Sequence, residues 1–255
     1  MTNPIFFAPA AGLAALAAGS EFVLGGAEGR HATTVKRLVA GEQLDIVDGA
    51  GLRVSGTVTA ASPGELRLRV DAVSAEPAPA QRLVLVQALA KGDRDELAIE
   101  TATELGVDGV IPWQSERSIV RWKGERGAKS LAKWRTTVQT AAKQARRAWV
   151  PDVAEAVESA ALAGLVAAAP LALLLHEEAA LPLGAVVEGH RGRLEANQGG
   201  EILLIVGPEG GISAREVDLL TAAGAQMARL GPHVLRSSTA GPAAVALLSE
   251  RLQRW

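Results

Sequence analysis

The hydrophobic period changes once along this chain, and the change sets what can fold on either side of it. The seam is Ser74-Ala75-Glu76-Pro77-Ala78-Pro79-Ala80, where alternate prolines and small residues favour an extended, exposed connection. Before it lie short alternating runs at 21–24, 43–48, 52–58 and 65–70, punctuated by the turn signals Asp48-Gly49-Ala50-Gly51 and Pro63-Gly64. Strand side chains point alternately to opposite faces, so such runs predict a small β-barrel over residues 1–73, with 74–81 as linker. After the seam, fully apolar runs alternate with helical stretches, which predicts an α/β domain over 82–255. Strands are expected at 83–88, 109–112, 171–175, 202–206 and 226–230. Helices are expected at 93–105, stopped by Gly106, and at 130–149, with Leu131, Trp134, Val138, Ala141, Ala145 and Trp149 on one stripe. Two more are expected at 213–223, opened by the capping box of Ser213 and Glu216, and from about Pro242 to Gln253.

A chain of 255 residues buries a core of native size without covalent staples, and with no cysteine it has no thiol or disulfide chemistry. Four scattered histidines without a His/Asp/Glu cluster predict no metal site. The stretch 5–18 is apolar and alanine-rich, but Pro9 and Gly12 break it and no basic residue precedes Arg30, so it does not read as an export signal. No segment reaches the roughly 20 apolar residues that span a bilayer. The expectation is a soluble, cytoplasmic protein.

The net charge of −2 conceals an asymmetry. From Arg117 to Arg147 there are ten Lys/Arg and one acid, Glu125, a local charge of +9, which leaves −11 on the other 224 residues. A solvated helical face is the ordinary reading of such a run. Here the balancing acids are missing locally, and four of the five tryptophans (Trp113, Trp122, Trp134, Trp149) lie in or beside the segment. Basic side chains beside aromatics suit a phosphate backbone with an unstacked base nearby.

Two loops carry candidate chemistry because they follow strands of a parallel-type sheet, where ligands bind. Gly207-Pro208-Glu209-Gly210-Gly211 combines backbone freedom with the free amides of the next helix. It lacks the spacing of the dinucleotide fingerprint and of the P-loop, and a tight turn without a ligand is the alternative. Leu230-Gly231-Pro232-His233-Val234-Leu235-Arg236-Ser237-Ser238-Thr239-Ala240-Gly241-Pro242 is long for a connection and sets one arginine among hydroxyls before a helix. A surface ion pair is the plain alternative for Arg236, and a polar loop residue for His233.

The strings Thr103-Glu104-Leu105-Gly106-Val107, Ser115-Glu116-Arg117-Ser118, Gly207-Pro208-Glu209-Gly210-Gly211 and Leu230-Gly231-Pro232-His233-Val234-Leu235-Arg236, in this order, resemble the small-subunit ribosomal RNA uridine-N3 methyltransferases of the SPOUT superfamily, and the N-terminal part resembles their PUA-like RNA-binding barrel. The resemblance implies a C-terminal SPOUT domain with a deep trefoil knot, a homodimer, and S-adenosylmethionine held among three loops. Carried over by position, the cofactor residues are Leu175; Gly207, Pro208, Glu209 and Gly210; Leu230, Gly231 and Leu235; and Ser237, Thr239 and Ala240. The implied substrate is N3 of one uridine, uridine 1498, of 16S ribosomal RNA in the small ribosomal subunit. Where the family pattern has a glutamate, this chain has Ser238.

N3 methylation requires an unpaired or flipped uridine that loses its N3 proton, and needs no metal. Arg236 is the candidate catalytic group, stabilising charge that develops on the uracil oxygens. Glu209, His233 and solvent stand open as the base. Arg117, Arg121, Lys143, Arg146 and Arg147, with Arg30 and Lys36 on the barrel, are the candidate phosphate-binding residues. Two other functions stand beside this one: a non-catalytic RNA-binding or assembly protein on the same fold, which Ser238 would suit, and a nucleotide-dependent oxidoreductase, against which the missing fingerprint counts.

Overall fold

The computed structural model describes residues 3–255, which form two compact units: one reaches Ala78 and includes Ala142–Val150, and the other comprises Pro79–Ala141 and Pro151–Trp255. The first unit holds β1 (Ile5–Phe7), α1 (Ala10–Leu13), β2 (Glu21–Leu24), α2 (Gly26–Arg30), a π-helical turn (His31–Val35), β3 (Gln43–Val47), β4 (Leu52–Ser62) and β5 (Glu65–Ala75). The strands pair in the order β1-β3-β4-β5-β2, antiparallel except for β1 on β3. The alternation read from sequence is literal in β5, where Leu66, Leu68 and Val70 are buried and Arg67 and Arg69 are exposed. Phe6, Leu13, Ile46 and Val54 complete the core, so the apolar start of the chain folds as a strand and helix of this unit.

The second unit is built on a parallel sheet. Its elements are β6 (Arg82–Ala88), α3 (Arg94–Glu104), β7 (Gly109–Gln114), α4 (Gly124–Gln144), β8 (Asp152–Val153), β9 (Val157–Glu158), α5 (Ser159–Ala168), β10 (Leu171–Leu175), α6 (Leu183–Gly189), α7 (Arg191–Ala196), β11 (Glu201–Val206), α8 (Ala214–Ala222), β12 (Gln226–Ala228) and α9 (Ser237–Arg251). The order is β12-β10-β11-β6-β7-β8, with β9 also on β7. From β6 the chain first moves outward through β7, then crosses to the other side of β6, where it lays down β10, then β11 beside β6, then β12 at the edge. The seam between β6 and β11 is therefore a topological switch point, where loops at the strand ends splay and leave a crevice. Val84 and Val86 pack with α5 and α8, while α3 and α9 pack together and α9 also packs on β6 and β11.

Helix boundaries show which local signals act. The capping box of α8 forms: Ser213 Oγ accepts from the Glu216 amide at 3.1 Å, and Glu216 Oε2 accepts from the Ser213 amide at 3.2 Å. Gly106 ends α3 at φ +101°. Helix α4, expected at 130–149, starts at Gly124 and stops at Gln144. It ends in a Schellman pattern, with Arg147 N–H to Ala142 O at 3.0 Å and Arg146 N–H to Lys143 O at 3.1 Å, and Arg146 takes the left-handed conformation at φ 58°. Trp149 consequently leaves the helical stripe. It belongs to the first unit, where its Nε1 donates to Glu76 O at 3.0 Å. Helix α9 begins at Ser237 instead of Pro242, and Pro242 lies inside it, with no amide to return to the Ser238 carbonyl. The strand expected at 226–230 ends at Ala228.

Candidate functional site

The carboxyl ends of β10, β11 and β12 lead into three loops that line one cleft of about 940 Å³. Apolar strands bring the chain to this edge and cannot continue: β11 ends at Val206, and Gly207 follows because a Cβ there would lie 2.5 Å from Ile212 Cγ1. Gly211 closes the turn at φ +73°, donating its amide to Pro208 O at 2.9 Å.

Of the residues proposed from sequence for a cofactor, Leu175, Gly207, Pro208, Glu209 and Gly210 line the cleft, as do Leu235, Ser237 and Ala240 on the far side. Leu230 lines an adjoining hollow of about 60 Å³. Gly231 and Thr239 line neither. Arg236 lines the main cleft from the N-cap position of α9, with an exposed side chain that makes no hydrogen bond or ion pair among the described residues. Ser237 follows it, 9% exposed, and its Oγ is a buried polar atom without a hydrogen-bond partner among the described residues. An unpaired buried hydroxyl costs about 1–3 kcal/mol, so Ser237 brings spare hydrogen-bonding capacity to the cleft wall.

The glycine loop is held from outside. Glu209 Oε1 accepts from Arg94 Nη1 at 2.8 Å and from the Lys91 amide at 3.2 Å. Burial opposes the charged form of Glu209, but bonds from its own amide, Arg94 and Lys91 outweigh it and hold the carboxyl below its ordinary value. Glu209 is thus a committed structural anion and a poor base. His233 lines only the smaller hollow, while Glu209 lines the main cleft but is held by Arg94 and the Lys91 amide.

Sequence reasoning missed Arg94, His176, Ile212, Val217 and Met227 on the cleft wall. His176 was the findable one, since it directly follows a buried strand at the ligand-binding edge. Its Nδ1 accepts from the Glu178 amide at 3.2 Å, which places the proton of the neutral ring on Nε2.

The basic segment is less free than its charge count indicates. Lys133 pairs with Glu96 at 2.7 Å, Arg135 with Glu155 at 3.1 Å, and Lys143 with Glu28 at 2.6 Å. Lys143 also stands over the Phe6 ring, 4.9 Å from its centroid. Arg117 donates to Gly210 O at 3.0 Å, and Arg121 to Glu116 O at 3.0 Å. Arg146 and Arg147 form the turn that ends α4. Exposed side chains without such partners among the described residues are Lys123, Arg126 and Lys129 in the second unit, and Arg30 and Lys36 in the first. Among the described residues no group of three or more His, Cys, Asp or Glu could hold a metal ion, and no helix is long and apolar enough to cross a membrane.

Comparison with known proteins places this geometry. Residues 76–249 match the family model for an RNA methyltransferase domain, and residues 24–71 the model for an RNA methyltransferase PUA domain. The chain is 42% identical to ribosomal RNA small subunit methyltransferase E of Mycobacterium tuberculosis over 241 residues, covering 93% of this chain and 89% of the relative. It is 26% identical to the protein of the same name from Bacillus subtilis, covering 89% of each. The structure of ribosomal RNA small subunit methyltransferase E from Neisseria gonorrhoeae bound to S-adenosylmethionine superposes with a TM-score of 0.80 at 27% identity, covering 98% of each chain. A Legionella pneumophila protein solved with the same cofactor bound gives 0.81 at 26%, again covering 98% of each. Two family models in register with the two units, and a relative at 42% identity over nearly the whole length, show that this chain belongs to the ribosomal RNA small subunit methyltransferase E family.

Proposed function

We propose that this chain transfers a methyl group from S-adenosylmethionine to N3 of one uridine, uridine 1498, in 16S ribosomal RNA of the small subunit. The observation that carries the reading is the cleft itself: three loops at the carboxyl ends of β10, β11 and β12 converge on a buried hydroxyl, Ser237 Oγ, beside a cation, Arg236, both without a partner among the described residues. The donor set suits a nucleoside with an amino-acid tail. Backbone groups of Gly207 and Gly210 can approach it closely, Ser237 offers a hydroxyl, and Val206, Ile212 and Met227 give apolar contact and exclude water.

When bound, the cofactor supplies an electrophilic methyl group on sulfur. Everything else falls to the chain. Arg236, at the N-terminus of α9, meets the uracil oxygens as N3 loses its proton, and the amide end of that helix adds to the positive field. Glu209 is tied to Arg94 and stays ionised, so the proton leaves to solvent and Arg236 makes that departure easier by stabilising the anion. With Arg236 holding the uracil oxygens, N3 would present its freed electron pair to the methyl group that a cofactor in the cleft would supply. Fixed geometry between cleft and base supplies the remaining advantage.

Arg30 and Lys36 on the PUA unit, with Lys123, Arg126 and Lys129, are exposed cations without a partner among the described residues and are available to RNA phosphates. The trefoil knot belongs to the same proposal. The route supports it, since β12 lies at the sheet edge while α9 returns to pack on β11 and β6. So do the homodimer, for which exposed Leu181, Val234 and Leu247 offer apolar surface, and a cytoplasmic site of action, where the RNA is. The test is transfer of labelled methyl from S-adenosylmethionine to small-subunit ribosomal RNA by the purified chain. Stoichiometric transfer supports the reading, and cofactor binding without transfer would make the chain a non-catalytic RNA-binding protein.

A further inference from the structure

The string Ser115-Glu116-Arg117-Ser118 has no part in the scheme above, yet it lies against the glycine loop. It follows β7 and folds on itself, with Ser118 N–H to Ser115 O at 3.1 Å and the two hydroxyls 3.2 Å apart, both serines being buried. Glu116 faces α8: its amide donates to Glu216 Oε1 at 2.8 Å, and its Oε2 accepts from Ser213 Oγ at 2.7 Å. Glu216, 1% exposed, also receives the Ser159 hydroxyl at 2.6 Å, which in turn accepts from Trp113 Nε1 at 3.1 Å. A chain of polar groups thus runs from the buried end of β7 to the helix that starts at the glycine loop.

Arg117 completes the attachment. Its Nη1 donates to Gly210 O at 3.0 Å, and a Cβ on Gly210 would lie 3.4 Å from Arg117 Cβ. The guanidinium therefore caps a loop carbonyl while Arg94 holds the preceding Glu209 side chain from another side. We infer that Arg117 is a positioning residue for the cofactor loop, orienting Gly210 through its carbonyl, with Glu116 anchoring the segment, and that it is not one of the phosphate-binding cations. A cation held against the Gly210 carbonyl fixes the peptide plane between Gly210 and Gly211, and with it the direction of the Gly211 amide that closes the turn on Pro208 O. The inference rests on the cofactor reading above.

Calorimetric titration of the full chain with S-adenosylmethionine, paired with RNA binding measured over a range of salt, separates the roles. For Arg117→Ala the expected result is cofactor binding weaker by about tenfold, as for loss of a charge-assisted hydrogen bond. The apparent KM for cofactor should rise in step, while kcat at saturation and the salt slope of RNA binding stay as in wild type. Arg117→Lys, which can still present one charged donor to the Gly210 carbonyl, should restore part of the cofactor affinity, and Arg117→Gln less. Unchanged cofactor affinity with a salt slope reduced by about 0.7–0.9, restored by lysine, would overturn the inference and make Arg117 a phosphate ligand. Should Arg117→Ala fail to fold, Arg117→Lys and Arg117→Gln carry the comparison. A wild-type chain that binds no cofactor would fail the underlying reading instead, so the two failures are distinct.

Discussion

Replacing Arg236 by alanine tests the chemistry where the structure permits a clean result. The guanidinium is exposed and makes no bond among the described residues, so its loss costs the fold within about 0.5 kcal/mol, a Tm change of at most about 2 °C. In the proposed reaction its value is reserved for the anion that forms as N3 loses a proton. A hydrogen bond to a charged group is worth about 1.5–3 kcal/mol, and each 1.36 kcal/mol is a factor of ten in rate, so the expected loss is roughly 10- to 150-fold. Removal of a single oxyanion donor in other enzymes costs about 10²–10³ in kcat, which overlaps that range near a hundredfold. The assay is single-turnover transfer of labelled methyl to small-subunit ribosomal RNA, with cofactor affinity measured separately by calorimetry. Transfer should fall about a hundredfold while cofactor affinity stays within about twofold, and Arg236→Lys should recover part of the rate. Transfer within threefold of wild type, or a loss accounted for wholly by weaker cofactor binding, would refute the role.

Lys143→Ala breaks a half-buried ion pair with Glu28, and should cost the first unit about 1–3 kcal/mol in denaturant unfolding with no change in the salt slope of RNA binding. Arg30→Ala or Lys36→Ala should do the reverse, lowering that slope by about 0.7–0.9 each at unchanged stability. Burial pushes the Asp95 carboxyl up to about 6 from 3.8, against hydrogen bonds from the Ala90 and Glu96 amides. Between those two values the folded state binds the extra proton, so stability from this group is lost as pH rises from about 4 to about 6, and is level above. The loss is about 3 kcal/mol, and Asp95→Asn should abolish that fall in unfolding experiments between pH 4 and 7. Ser213→Ala removes the α8 cap and should lower stability by about 1 kcal/mol, read as a fall of about 2–4 °C in Tm.

What was legible in the sequence, and what was not, divides along one physical line. Signals that act within a few residues were readable. The Ser213–Glu216 box, the Gly106 stop and the alternation in β5 all appear where the pattern puts them, and the loops after β10 and β11 line the cleft as a parallel sheet requires. Where a position was filled by an unusual residue, the pattern misled. Helix α4 ends on an arginine in the left-handed conformation instead of a glycine, and α9 starts in a run of hydroxyl residues that read as loop. Charge misled for another reason. The segment from Arg117 to Arg147 counts as +9 in sequence, but Glu96, Glu155 and Glu28 come to Lys133, Arg135 and Lys143 from elsewhere in the chain. Long-range pairing, which local composition cannot report, decides which of those cations are free for a partner.

The central claim is that one uridine of the small-subunit RNA carries a methyl group at N3 because of this chain. Mass spectrometry of nuclease digests of that RNA, from cells with and without the protein, addresses it directly. The account predicts a single N3-methyluridine, at position 1498, that is present with the wild-type chain, absent without it, and not restored to wild-type level by the Arg236→Ala variant. An identical methylation map in both cells, or loss of a methyl group at a different atom or base, would contradict it.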